Sequence, residues 1–247
     1  MCLILLAHQY HPKYRLVFAA NRDEFPNRPT APAAFWEEDP NILAGKDLLK
    51  GGTWCGVSKI GRFAALANIR DPKAHRDGAP SRGLLVSNFL KGKESSEEYL
   101  QKIEKEAREY NPFGLLAGDK SDLFYFSNRV RKSQKLEPGL YGLSNHLLDT
   151  PWPKVKRGKG KLKAILSRES FSAEDLLDLL ADTTPARDSE LPDTGVGLEL
   201  ERMLSPIFIK SPTYGTRAST IILIDTENNV TFIEKTAKSQ KYQFKLQ

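Results

Sequence analysis

The sequence predicts an α+β fold of mostly antiparallel sheets with segregated helices, and three observations predict it. Apolar, strand-like runs come in pairs separated by hairpin-length links. Capping-box helix starts fall between these pairs. The resulting order is strands, helices, strands, helices, strands, without the regular alternation that a parallel α/β sheet requires. A sandwich of two sheets flanked by helices fits this order, and periodicity alone leaves other α+β arrangements open. At 247 residues, with no Gly/Ser-rich linker, the chain suits one domain spanning residues 1–247.

Cys2 to Ala7 is continuously apolar, as expected of a strand covered on both faces. Tyr14 to Ala20 pairs with it across a turn around Pro12. Trp54 to Lys59 and Arg62 to Ala67 form the next pair, broken at Gly61. Phe113 to Ala117 pairs with Leu123 to Ser127, and Thr220 to Asp225 with Val230 to Glu234 through the turn residues Asn228 and Asn229. Helices are expected from Ser95, where Glu98 completes a capping box, and from Ser172, where Phe171 and Leu176 are spaced as a hydrophobic staple. Ser81 to Lys91 is a further helical segment, and the prolines at 151 and 153 set an ordered turn before another helix.

Composition excludes several classes. No run approaches the roughly 20 apolar residues of a membrane span, so no stable membrane insertion is expected. The first apolar stretch is too short, and lacks the preceding basic region, for a secretory signal; a cytoplasmic location with reduced thiols follows. The net charge of +6 invites a nucleic-acid reading, but the charge is local. Lys154, Lys156, Arg157, Lys159, Lys161 and Lys163 form a basic block, followed by an acidic stretch from Glu169 to Glu201. Such blocks are usually solvated helix faces, the alternative being a patch for an anion, a ligand phosphate or carboxylate, or a lipid headgroup, and no nucleic-acid motif accompanies them.

Chemistry concentrates near the amino end. Once Met1 is removed, Cys2 carries a thiol and a free α-amine on one residue. An α-amine titrates near pH 8, so it serves as a base without a histidine, and one residue supplies nucleophile and base together. The blander role of Cys2 is a small hydrophobe opening a buried strand. Asn21-Arg22-Asp23-Glu24 follows the second strand run; alternation places Asn21 and Asp23 on one face and Arg22 and Glu24 on the other. Asp23 is suited to orient the Cys2 amine, and Asn21 to position a polar group of a substrate. Trp54, after the Gly51-Gly52-Thr53 turn, and Trp152 are suited to wall an apolar pocket. Cys55 is expected to be a buried small hydrophobe rather than a partner for Cys2.

The tags Met1-Cys2, Asn21-Arg22-Asp23-Glu24, Gly51-Gly52-Thr53-Trp54, Leu66-Ala67-Asn68, Gly142-Leu143-Ser144-Asn145, Asp149-Thr150-Pro151-Trp152-Pro153-Lys154 and Tyr214-Gly215-Thr216-Arg217 occur in this order along almost the whole chain. Together they identify a resemblance to the NRDE-motif family, also called the transport and Golgi organization type. The resemblance implies an N-terminal nucleophile hydrolase-like fold, a four-layer αββα sandwich. It links such proteins to secretory organisation, lipid and acyl-coenzyme A metabolism, and haem mobilisation. It also implies Cys2 as nucleophile, Asp23 as the residue holding its amine, Asn68 and Asn145 as oxyanion or amine-side donors, and Arg217 as a cation near the thiol or leaving group. In amidase relatives of this fold an arginine stands three residues before the aspartate; here that residue is Ala20, and Arg22 is expected to point elsewhere unless a bulge re-aims it.

Two functions follow. One is a cysteine hydrolase of a small-molecule amide or (thio)ester, which requires no cofactor. The other is a non-catalytic binding or trafficking protein whose ligand is haem, an acyl-coenzyme A or a similar amphipathic molecule. The four histidines, His8, His11, His75 and His146, give no recognisable zinc pattern, so no metal is expected. Gly45-Lys46-Asp47 and the Gly158 to Lys161 segment lack phosphate-loop spacing, and Ser144 is not in a nucleophile elbow. Oligomeric state and substrate identity are left open by the sequence.

Overall fold

A computed structural model describes residues 3–247. Among the described residues the first sheet has six strands, β1 (Leu3–His11), β2 (Tyr14–Glu24), β10 (Gly139–Leu143), β11 (Gly215–Asp225), β12 (Asn229–Lys235) and β13 (Ser239–Lys245), in the order β10-β1-β2-β11-β12-β13. The second runs in sequence order through β3 (Thr30–Phe35), β4 (Ile42–Asp47), β5 (Cys55–Ser58), β6 (Phe63–Asn68), β7 (Phe113–Gly118), β8 (Leu123–Ser127) and β9 (Lys132–Lys135). Neighbouring strands in both sheets are antiparallel.

The period of two in β1 and β2 feeds two different cores. Ile4, Leu6, Phe18 and Ala20 point inward, meeting Leu43, Val57, Phe63 and Leu116 of the second sheet. Leu3, Leu5, Val17 and Ala19 point outward, onto Val155 and Leu162 of α3 (Pro153–Leu166) and Leu176 and Leu180 of α4 (Ala173–Leu180). The outer face of the second sheet packs on α1 (Gly83–Lys91) and α2 (Ser96–Glu106) through Leu85, Phe89, Leu100 and Ile103. The layers are therefore αββα. A strand buried on both faces must be apolar at every position, which is why β1 reads as a continuous apolar run.

Both expected capping boxes form. Ser95 accepts from the Glu98 amide while Glu98 accepts from the Ser95 amide, and Ser172 and Asp175 do the same for α4. Each cap satisfies two helix-end donors and places a carboxylate in the positive first turn. The basic block lies on α3 and is largely engaged within the protein. Lys159 pairs with Asp149 and Lys161 with Asp182, both at 2.6 Å, while buried Lys154 donates to the Leu204 carbonyl at 3.0 Å. Strands β3, β4, β9, β10 and β13 have no counterpart among the apolar runs of the sequence. Among them β9 (KSQK) and β13 (SQKYQFK) are polar sheet edges, where one neighbour supplies the backbone pairing and little apolar content is needed.

Two features of the β4–β5 link position the site. Gly51 and Gly52 have φ of +73° and +77°. A Cβ on Gly52 would lie 2.3 Å from the Gly83 carbonyl carbon at the start of α1, so glycine is required by conformation and by space. The turn closes with Asp47 N–H donating to the Gly52 carbonyl, and it delivers Trp54 inward. Gly45 on β4 makes room for the indole, since a Cβ there would sit 2.3 Å from Trp54 Cη2.

Candidate functional site

Cys2, the proposed nucleophile, lies outside the described residues, as does Met1. Their chain neighbour Leu3 opens β1, an interior strand, paired with Asn21 of β2. On the other side Ile4 pairs with Leu143 of β10. Asp23 and Asn145 thus each stand two residues beyond a partner of the start of β1, on opposite flanks.

Alternation along β2 is as the sequence predicts. Asn21 and Asp23 share the helix-facing side. Asn21 is fully buried; its amide donates to the carbonyls of Leu180 (2.9 Å) and Ile207 (2.8 Å), and its oxygen accepts from the Ser219 hydroxyl (2.7 Å). It ties the sheet to α4, and the hydrogen bonds of its amide stay inside the protein. Asp23, also buried, accepts from the Thr216 hydroxyl at 2.6 Å, and its carbonyl accepts from the Tyr214 hydroxyl.

Arg22 and Glu24 lie on the other face, toward the second sheet. The expectation that Arg22 points away from the position held by Ala20 is corrected: positions 20 and 22 are two apart and share a face. The bulge in this region is instead on β11, where Thr216 pairs with Asp23 and Ala218 with Arg22, leaving Arg217 as the extra residue. Arg217 donates to the carbonyls of Arg28 (2.6 Å) and Phe25 (3.3 Å), fastening the turn after β2.

Arg22 is 5 % exposed, its guanidinium 4.4 Å from the Trp54 ring centroid. Both line a cavity of about 340 Å³, together with Asn68, Leu66, Glu24, Arg28, Asp47, Lys50, Arg76 and Arg82. Burial pulls the Arg22 guanidinium below the ordinary arginine range, opposed by the charges of Glu24 and Asp47. Burial also works against the Asp47 carboxylate, yet the hydrogen bonds from Arg28 and from the Lys50 and Leu49 amides hold it below its usual range. The cations at 28, 50, 76 and 82 escaped the sequence reading because they come from turns and loops without periodicity.

The two candidate asparagines meet. Asn145 Nδ2 donates to the Asn68 carbonyl at 3.0 Å, while Asn145 Oδ1 accepts from Arg70 (3.3 Å). Arg70 pairs with buried Glu201 of α5 (Leu198–Leu204) at 2.5 Å and lies over the Trp152 ring. Trp152 is consequently on the Arg70 side, beside His146, and does not wall the cavity that holds Trp54. Cys55 is buried between the sheets, and burial pushes its thiol pKa up, so it is held neutral. Among the described residues there is no cluster of three or more His, Cys, Asp or Glu placed to hold a metal, and no helix long and apolar enough to cross a membrane.

Comparison with solved structures shows the same fold at low identity. Penicillin V acylase from Agrobacterium tumefaciens superposes with a TM-score of 0.57 at 12% identity, covering 99% of this chain and 86% of that one. An N-acylethanolamine-hydrolyzing acid amidase ortholog from Caenorhabditis elegans gives 0.54 at 13%, covering 90% and 92%. These are N-terminal nucleophile hydrolases, and the chain shares their fold. In sequence, it is 38% identical to the human Transport and Golgi organization protein 2 homolog and 37% to the Mus musculus homolog, with 100% of both chains covered in each case. The Drosophila melanogaster protein of the same name is 30% identical over 96% of this chain and 92% of its own length. A family profile described as Transport and Golgi organisation 2 matches residues 1–239, and the chain belongs to that family.

Proposed function

We propose that the protein is a cysteine N-terminal nucleophile hydrolase that cleaves an amide or (thio)ester of a small molecule. The observation that carries this reading is the convergence of Asp23 and Asn145 on the two flanks of the start of β1, in the fold shared with penicillin V acylase. In the proposed reaction the Cys2 thiol gives its proton to its own α-amine and the sulfur attacks the substrate carbonyl. Asp23, oriented by Thr216, stabilises the protonated amine. The remaining N–H of Asn145 and the Asn68 amide are suited to hold the oxyanion. The amine then returns the proton to the leaving nitrogen, oxygen or sulfur as that bond breaks, and water releases the acyl group from Cys2.

The test is the intact mass of the native protein before and after brief iodoacetamide treatment, followed by a screen of amides and thioesters for acylation of Cys2. Loss of Met1 with rapid labelling at Cys2 is expected. A retained Met1 removes the free amine and ends the mechanism.

One observation favours a second reading, in which the site binds without chemistry. Ala20 faces the second sheet where amidase relatives carry an arginine, and it pairs with Ile4 and Thr220 without supplying a cation. A trafficking protein for haem, an acyl-coenzyme A or another amphipathic anion would use the same cavity. Saturable binding of haem or acyl-coenzyme A alongside an unreactive Cys2 is the outcome this reading requires.

A further inference from the structure

A buried guanidinium is normally neutralised and hydrogen-bonded, because leaving it unpaired away from water is costly. Arg22 departs from this. It is 5 % exposed, yet among the described residues none of its N–H groups makes a hydrogen bond, and its single ion-pair contact is Glu24 at 3.9 Å. That carboxylate is shared: Arg28 lies 3.6 Å from it, and its other oxygen accepts from the Phe25 amide. Asp47, the other carboxylate at this end of the cavity, is taken by two hydrogen bonds from Arg28 (2.7 and 3.0 Å) and by the Leu49 and Lys50 amides. Both of these carboxylates are therefore largely committed elsewhere, and buried Glu234, whose charge also acts on Arg22, makes no ion-pair contact with it.

Trp54 supports the flat face of the Arg22 guanidinium, which leaves the N–H edges as its means of binding, and the group lines the cavity. Two further cations add to the positive potential there. Lys50 has no carboxylate partner among the described residues, and Arg76 spends donors on the backbone carbonyls of Arg108 and Tyr110, which carry no net charge. Asn68 lines the same cavity, so a polar group of a bound molecule can be held beside the anion site.

We infer that Arg22 is the receptor for an anionic group, a carboxylate or a phosphate, carried by the molecule on which this site acts. The inference rests on the cavity being the substrate site of the proposed hydrolase, and it names the substrate class: small amides or (thio)esters bearing an anion. A guanidinium backed by an indole recognises both oxyanions through two parallel N–H···O bonds.

Calorimetric titration with inorganic phosphate in one arm and glutarate in the other tests it, with a neutral diamide as control. Saturable binding of at least one anion is expected by about 10 mM, with none of the diamide. The tighter arm identifies the oxyanion, and either order supports the inference. Arg22→Gln is expected to weaken that binding at least about tenfold. Lys50→Glu, at an exposed position where folding is not in question, should weaken it about fivefold. Absence of saturation in both arms, or unchanged affinity in Lys50→Glu and in any folded Arg22→Gln protein, overturns the assignment. Cys2 alkylation on the same samples separates the two claims. A reactive Cys2 without anion binding sinks only the inference, whereas anion binding with an inert Cys2 sinks only the hydrolase.

Discussion

Asn145 Nδ2 donates to the Asn68 carbonyl across 3.0 Å, and this bond joins the segment just past β10 of one sheet to the last residue of β6 in the other. It closes the sandwich at the end where β1 begins, and it fixes the Asn145 amide with one N–H still to give.

Asn145→Ala removes that donor and the seam together. Acylation of Cys2 by an activated ester is expected to slow by about 100-fold, the usual effect of losing one oxyanion donor. Alkylation of Cys2 by iodoacetamide, which forms no oxyanion, should change by less than about threefold. Equal losses in both rates, followed by mass spectrometry, would assign Asn145 to folding rather than to the transition state.

Cys55 offers an internal control for the same labelling. Burial raises its thiol pKa and denies it solvent, so native protein at neutral pH should label at one cysteine only. Both thiols should react once guanidinium is added. Comparable native labelling of Cys55 would show that the space between the sheets opens on the timescale of the experiment.

Two glycines separate conformational need from tolerance. Gly52→Ala forces a side chain into a left-handed backbone and against Gly83, and it is expected to cost about 3 kcal/mol. For a chain of this size that lowers Tm by about 6–12 °C in a thermal melt. Gly160 lies exposed in α3, and a Cβ there meets nothing within 4 Å. Gly160→Ala should therefore raise stability by about 0.5–1 kcal/mol.

Asp182 links stability to acid. Burial disfavours its charge, but hydrogen bonds from Lys161 and Thr184, with the charge of Arg157 nearby, lower its pKa to about 2. The folded value lies below the unfolded one, so the stabilisation is complete above about pH 4 and is lost as pH falls through 2. Asp182→Asn should lose about 2 kcal/mol at pH 7 in urea unfolding, and roughly half of that difference should have gone by pH 3. A difference that stays constant with pH would mean that the carboxylate charge contributes nothing.

What the sequence revealed follows from what is local. The continuous apolar run of β1, the paired capping boxes and the alternation of Asn21 and Asp23 against Arg22 and Glu24 depend on residues near one another in the chain. The cavity does not. Arg76 enters it because its amide donates to Asn111, 35 positions later, and no periodic signal encodes that contact. The meeting of Asn68 with Asn145 joins two sheets, and the shift of Arg217 arises from one extra residue in β11. Trp54 and Trp152 look equivalent as aromatic residues beside turns; what divides them is which side of the Asn68–Asn145 seam each turn faces.

The edge strands carry a consequence for life at high concentration. A sheet ends in unpaired backbone groups that invite another molecule to add a strand and begin a polymer. Strand β13 ends one sheet with Lys241 and Lys245, and β9 ends the other with Lys132 beside Lys135, whose ammonium is paired with Asp122. Two such edges brought together would set ammonium groups against one another. Part of the positive excess that first suggested a nucleic-acid partner thus serves to keep neighbouring copies apart.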